Sequence, residues 1–120
     1  VPGTLKQLTA GVRINGRPWK HGDLCYYFLT TDSQINALPR IGQVEFFVVD
    51  TIGRNEHLFV VLDQRPVVDR RGCIIVFDVT LPVSRKILHA EHLTHLVASL
   101  PYWHAGRPDI RCGVPICTTV

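Results

Sequence analysis

Three apolar runs of the chain each end in an aspartate, and no other pattern in the sequence looks more catalytic. The aspartates are Asp50, Asp63 and Asp78. Carboxylates at strand ends can hold Mg²⁺ for phosphoryl transfer, which would make the chain a metal-dependent, nuclease-like domain. Consecutive antiparallel strands end on opposite sides of a sheet, so only Asp50 and Asp78 would share an end. The alternative is that each aspartate opens a turn by accepting backbone hydrogen bonds.

Histidines and cysteines in the C-terminal third form a second candidate metal site. His92 and His95, together with Cys112 and Cys117, would supply the four nitrogen and sulfur ligands of a zinc-stabilised binding module. The four residues between the two cysteines include a glycine and a proline, whereas structural zinc knuckles are usually tighter. The competing interpretation has the histidines at the solvent edge and the cysteines buried, with no metal bound.

Aromatic side chains gather at the first long apolar run and return near the C-terminus. The candidate ligand-binding residues are Trp19, Asp23, Tyr26, Phe28, Tyr102 and Trp103. Aromatic rings beside a carboxylate can hold a methylated lysine by cation–π attraction. Because alternate strand residues face opposite sides, Tyr26 and Phe28 would share one face while Tyr27 points away. Core packing is the competing role, and we expect it for Trp19.

Signatures of nucleophilic catalysis and of nucleotide binding are absent from the sequence. No serine lies in a Gly-x-Ser-x-Gly elbow, and neither G-x-x-x-x-G-K-[ST] nor G-x-G-x-x-G occurs. The sequence therefore favours a non-catalytic binding protein that uses no cofactor.

Short apolar runs separated by turn residues must position these side chains. The runs are Leu24–Leu29, Val44–Val49, Leu58–Leu62 and Cys73–Val79, with a shorter one at Val12–Ile14. The links are short and contain no crossover helix. This predicts an all-β, mainly antiparallel fold, a small curled sheet or barrel of about five to seven strands.

One short helix or packed segment is expected near residues 91–100. Leu93, Leu96, Val97 and Leu100 follow the i, i+3, i+4, i+7 spacing of a helical stripe. The alternative is a strand at Ile87–His89 followed by an irregular packed segment. Residues 101–120 are predicted to form an irregular tail packed on the barrel.

Length and composition indicate one globular domain of 120 residues, with a barrel core over about 12–100. We expect it to be a segment of a longer protein. The hydrophobic fraction is 46%, and the net charge of +3 is scattered along the chain, which gives little support for nucleic acid as a partner. No apolar run is long enough for a membrane span. Exposed sheet edges could pair two copies into a homodimer.

Cysteine placement indicates the redox environment. Cys25 and Cys73 lie within apolar runs, where a free thiol behaves as a small buried hydrophobe. This predicts a reduced, intracellular protein.

The order of segments between about Asn15 and Val97 resembles bromo-adjacent homology (BAH) domains. The matching pieces are Asn15–Trp19 with Gly22–Tyr26 at the entry to the first long strand, Ile41–Phe47 and His57–Val61 in the next strands, Arg65-Pro66 in the Arg-Pro turn, and Ile87–Leu93 in the late strand. The family's usual Trp-Phe pair before the Arg-Pro turn is replaced by Val60–Gln64, which argues against a histone methyl-lysine cage.

The resemblance implies a reader or scaffold of nuclear chromatin that performs no chemistry. Its partner would be a protein, a histone tail or a nucleosome surface. The chain is also similar to BAH-like modules in proteins derived from mobile elements, which suggests a divergent variant of that kind.

Overall fold

The computed structural model describes residues 4–29, 38–102 and 106–116, and these residues form an all-β fold. Its strands are β1 (Thr4–Thr9), β2 (Gly11–Ile14), β3 (Arg17–Lys20), β4 (Leu24–Tyr27), β5 (Arg40–Ile52), β6 (Asn55–Gln64), β7 (Val67–Arg71), β8 (Ile74–Asp78), β9 (Ser84–His89), β10 (Leu93–Pro101) and β11 (Ile110–Pro115). A single 3-10 turn, Ala90–His92, precedes β10, and these ranges contain no α-helix. The all-β prediction is confirmed, with more strands than the five to seven expected.

Nine of the strands form one antiparallel sheet that curls into a half-barrel. The order across the sheet is β7-β8-β11-β10-β4-β5-β6-β9, and β1 pairs with the second half of the long β5. Strands β2 and β3 form a separate hairpin. Val12, Ile14 and Trp19 of this hairpin pack onto the core that β4, β5 and β6 share.

Two-residue turns close three of the hairpins, and their sequences suit the required backbone. Asn15 and Gly16 both adopt positive φ, 53° and 78°, as a type I′ turn demands. The loops Gly53-Arg54 and Gly72-Cys73 each place glycine first, with φ of 63° and 61°. Strong local turn chemistry therefore sets the register of these hairpins.

Strand β4 is buried on both faces, and this divides the interior in two. Cys25 and Tyr27 pack with Phe47 on one face, whereas Tyr26 packs with Ile41 on the other. The second face lies inside the half-barrel formed by β8, β11, β10, β4 and β5. The predicted alternation of Tyr26 and Tyr27 is confirmed, and Trp19 is a core residue at 5% exposure.

The expected helix near residues 91–100 is wrong, because Leu93–Pro101 is strand β10. The register against β4 shifts between Leu93 and His95, which marks a β-bulge at Thr94. The bulge puts Leu93 and Leu96 on the same face although they are three residues apart. The bulge therefore gives this strand the i, i+3 spacing with which a helical stripe begins.

The predicted irregular tail at 101–120 is also wrong for residues 110–115. These residues form β11, which lies between β8 and β10 inside the sheet. Ile110 and Cys112 alternate onto one buried face with Val76, but Gly113 and Pro115 disguise the strand pattern in the sequence. Residues 110–115 therefore form a strand of the sheet and do not pack over it as a tail.

Two edge strands of the sheet, β7 and β9, carry features that discourage strand pairing. Edge strand β7 has a register shift at Val68 and ends in Arg70 and Arg71. Edge strand β9 presents Arg85 and Lys86. Bulges and charges on these edges oppose edge-to-edge association. The homodimer through a sheet edge stays a prediction.

Candidate functional site

An apolar pocket of about 320 Å³ opens at one end of the half-barrel interior. We call it the apolar pocket. Its lining residues are Tyr26, Phe28, Pro39, Cys73, Thr94, His95, Val114 and Pro115. Two of the aromatic residues predicted to bind a ligand, Tyr26 and Phe28, therefore lie in one pocket.

Neighbouring strands bring residues distant in sequence together at this pocket. Tyr26 pairs across the β4–β10 ladder with His95, so both side chains lie on the inner face. Phe28 follows two residues after Tyr26, and its amide donates to the carbonyl of His92. Cys73 reaches the pocket from the β7–β8 turn.

The hydroxyl of Tyr26 links three strands beneath the apolar pocket. Its single hydrogen is shared between the carbonyl oxygens of Cys73, at 2.9 Å, and of Gly113, and its oxygen accepts the amide of Ile75 at 3.0 Å. Burial raises the pKa of the Tyr26 phenol above its ordinary value of 10.0. The hydroxyl is therefore a structural anchor whose hydrogen is committed to backbone oxygens.

Few polar groups remain available at the apolar pocket. Thr94 Oγ1 donates to the backbone oxygen of Tyr26 at 3.2 Å. The thiol of Cys73 and the ring of His95 are exposed, and no hydrogen bond joins them to each other. Among the described residues that line the pocket, none is acidic. The arrangement suits a neutral, apolar group.

A second pocket, of about 230 Å³, lies at the other end of the same interior. We call it the cationic pocket. Its lining residues are Gly22, Leu24, Gln43, Arg65, Phe77, Val79, Ser99 and Arg111. Arg65 Nη2 donates to Gln43 Oε1 at 2.8 Å, and Arg111 Nη2 donates to the Ser99 carbonyl at 3.1 Å. Both guanidinium groups are thus held by neutral partners.

The other predicted ligand-binding residues lie elsewhere. Trp19 belongs to the core on the opposite face of β4. Asp23 accepts the Lys20 amide at 2.8 Å and so closes the turn before β4. Tyr102 packs in a third cluster, near Cys112, and Trp103 lies outside the described residues. The structure does not assemble the six residues into one aromatic cage.

The structure does not assemble the predicted zinc ligands either. His95 faces the half-barrel interior, while Cys112 is buried in the cluster on the other face of the sheet. His92 lies 3.8 Å from a carboxylate oxygen of Glu91, and Cys117 is outside the described residues. Among the residues the structure describes, no group of three or more histidine, cysteine or acidic side chains could hold a metal.

The two predicted magnesium ligands lie on strands that are far apart in the sheet. Asp50 lies on β5 and Asp78 at the end of β8, four strands away. Asp78 is buried and accepts the Thr80 amide at 2.9 Å and Arg107 Nη2 at 2.6 Å. The Thr80 hydroxyl and amide, with Arg107, lower the pKa of Asp78 below 3.8. The turn interpretation is therefore confirmed for this aspartate.

Sequence reasoning missed both arginines of the cationic pocket and misplaced one cysteine. Cys73 is exposed in a turn, whereas Cys25 is buried as expected. Burial, with a smaller effect from Asp23, raises the pKa of the Cys25 thiol to about 12. The glycine before Cys73 was the available signal, since Gly-x often fills a two-residue hairpin turn.

Within the described ranges, the structure has no helix with the length and hydropathy needed to cross a bilayer.

Comparisons with known proteins found no significant match to this chain. No family model matches the chain, and no curated protein and no solved structure is significantly similar to it.

Proposed function

We propose that this protein is a non-catalytic interaction module that binds a partner protein by taking an apolar side chain into the apolar pocket. One observation carries the proposal. The pocket is concave, has aromatic walls from Tyr26 and Phe28, and contains a tyrosine hydroxyl whose described hydrogen bonds all go to backbone groups. Concave apolar sites with few polar groups are typical of binding pockets, and interface anchors sit in such pockets.

A neutral side chain suits this pocket better than a methylated lysine. Methylammonium recognition uses several aromatic faces around the cation, commonly with a carboxylate. Here the described lining residues include no acid, and two of the other predicted aromatics, Trp19 and Tyr102, lie in other clusters. A scaffold role is therefore favoured over a methyl-lysine reader. The resemblance to BAH domains supports a chromatin partner, such as a histone tail or nucleosome surface, and a nuclear location.

The size of the expected effect follows from burial. Complete burial of a leucine or phenylalanine side chain contributes about 1.5–3 kcal/mol, which is roughly 10- to 150-fold in Kd. A pocket of this size would thus act as the anchor of a larger contact. Blocking it should weaken binding without unfolding the sheet.

Selection from a random peptide library tests the proposal. Peptides selected on the purified chain should share one large apolar residue. Cys73→Trp should then weaken their binding by about tenfold or more, because it fills the pocket mouth from an exposed turn. Arg54→Trp, in the equivalent turn of the β5–β6 hairpin, is the matched control and should leave binding unchanged.

Two outcomes would overturn the proposal: selected peptides with no common apolar residue, or equal binding by wild type and Cys73→Trp. Binding to a modified histone-peptide array and to nucleosomes separately tests the chromatin part. If the chain binds neither histone peptides nor nucleosomes but still selects apolar peptides from the library, chromatin is excluded as the partner and the apolar anchor is retained.

A further inference from the structure

The cationic pocket contains two positive charges that no described carboxylate neutralises. Other arginines of the chain do form ion pairs, at 3.1 Å for Arg71 with Asp69 and 2.6 Å for Arg107 with Asp78. Within the described residues, Arg65 and Arg111 have no such pair. Both are only partly exposed, so their charges are less screened than those of surface arginines.

A chain of neutral hydrogen bonds holds the Arg65 guanidinium in place. Its Nη2 binds Gln43, whose own Nε2 donates to the carbonyl of Gly22 at 3.2 Å. The backbone amide of Arg65 donates to the Ile41 carbonyl at 2.9 Å. The Nε atom of Arg65 is buried and has no described hydrogen-bond partner. Arg65 therefore makes fewer hydrogen bonds here than its five N–H donors allow.

Acids next to the lining residues are engaged elsewhere, and Asp23 accepts the Lys20 amide at 2.8 Å. Asp78 follows Phe77, which lines the cationic pocket, so it lies on the opposite face of β8 with Arg107. Asp63, the cross-strand neighbour of Gln43, accepts Arg85 Nε at 3.4 Å. The protein therefore builds a fixed pair of guanidinium groups and leaves their charge for an external group.

The rest of the lining indicates the kind of anion. Leu24, Phe77 and Val79 give the cationic pocket an apolar floor beside the two arginines. Guanidinium groups pair well with carboxylate oxygens, and an apolar floor suits a methylene stem better than a bare phosphate. A volume of about 230 Å³ accommodates a small group of this kind.

We propose that the cationic pocket binds a carboxylate on an aliphatic stem, supplied by a glutamate or aspartate side chain of a partner protein. This inference goes beyond the apolar anchor and does not depend on it, since the two pockets share no lining residue. His95 of one pocket and Ser99 of the other are four residues apart on β10, roughly 13 Å along the strand.

Backbone-amide NMR titration of the full chain tests the proposal. The probe is a short acetylated, amidated alanine peptide with one central glutamate, and the reference probe has glutamine instead. The glutamate peptide should shift the amides of Gly22, Ser99 and Arg111, whereas the glutamine peptide should not. Arg111→Gln should weaken binding about tenfold or more, and Arg54→Gln is the charge-matched control.

Three results would overturn the binding of a partner carboxylate at this pocket. These are equal shifts from both peptides, equal loss in Arg111→Gln and Arg54→Gln, and binding of inorganic phosphate with no binding of the glutamate peptide, which would make this a phosphate site. Acetate should bind more weakly than the peptide, and equal affinity would refute the role of a stem. Arg65→Gln provides a second variant, with unchanged thermal unfolding as the check on its fold. If the peptide library yields no ligand for the apolar pocket, the titration still tests the cationic pocket, because the two pockets share no lining residue.

Discussion

The two ends of the half-barrel interior differ in chemistry although the same strands build both. Strand β4 supplies Leu24 at the cationic pocket and Tyr26 at the apolar pocket, and β10 supplies Ser99 and His95 in the same way. A residue's face on the strand decides whether it points inward, while its position along the strand decides which end it serves. A single curled sheet can thus present two unlike surfaces a short distance apart.

The packed middle of the interior separates the two ends. Tyr26, Ile41, Ile75, Phe77 and Val97 form a buried cluster between them. Close-packed interiors resist deformation, so each pocket keeps its shape without help from the other. The comparison therefore predicts that changes at one end leave the other intact, whereas changes in the middle damage both.

The largest expected effect comes from Gly113, which lies in that middle. A Cβ there would come within 2.7 Å of Ile41 Cδ1 and 2.8 Å of Val97 Cγ1. Gly113→Val should cost about 3 kcal/mol or more of unfolding free energy by overpacking, and both pockets should lose binding together. Urea unfolding measures the loss. Gly11→Val, at an exposed position of β2, is the control and should cost less, because its Cβ would lie 3.3 Å from the Trp19 carbonyl oxygen; equal losses would contradict the packing argument.

The next effect concerns the anchor under the apolar pocket. Tyr26→Phe leaves the Ile75 amide and the Gly113 carbonyl without their hydroxyl partner, which should cost about 1–3 kcal/mol. Tyr27→Phe is the matched control. It removes a bond to Gln64 Oε1 at 2.7 Å on the opposite face, where this described partner is a side chain and not a backbone group. The Tyr26 variant should unfold at lower urea, and the reverse order would count against the anchor.

These residues also show how far sequence reasoning reaches. The alternation that put Tyr26 and Phe28 on one face is local, and so is the turn at Asn15-Gly16, so both were predictable. The pairing of Tyr26 with His95 was not, because it depends on which distant strand lies beside β4. Long-range pairing likewise brings Arg65 and Arg111 together, although neither forms part of a local motif.

The missed strands have local causes. One extra residue at Thr94 turned a period of two into a spacing of three, and so β10 resembled a helix. In β11, Gly113 interrupts the apolar pattern because neighbouring side chains pack against its backbone. Sequence patterns therefore failed where strands deviate from ideal geometry for reasons of packing, and succeeded where the geometry is regular.

A smaller, pH-dependent effect tests whether Asp78 serves only the outer face. Its pKa is lowered in the folded protein, so its stabilisation is complete above about pH 4 and is lost as pH falls through the lowered value. Asp78→Asn should reduce the melting temperature at neutral pH, with a difference from wild type that shrinks as the pH falls below 3.8. Thermal melts across this range provide the measurement.

The same variant sharpens the comparison of the pockets. Because Asp78 pairs with Arg107 on the other face of β8, Asp78→Asn should leave binding of the glutamate peptide unchanged. Tighter binding would show that Asp78 partly neutralises the cationic pocket. Asp69→Asn, which affects an exposed pair with Arg71, is the control and should change the melting temperature less.

The smallest effect on stability, and the most selective, comes from modifying Cys73. This thiol is exposed at the apolar pocket, whereas Cys25 is buried with a pKa raised to about 12 and Cys112 is also buried. In a Cys117→Ser background, a maleimide should therefore label Cys73 first, as mass spectrometry would show. The label should block apolar peptides but not the glutamate peptide. Comparable labelling of Cys25 would contradict its burial, and loss of both ligands would mean that the two ends are not independent.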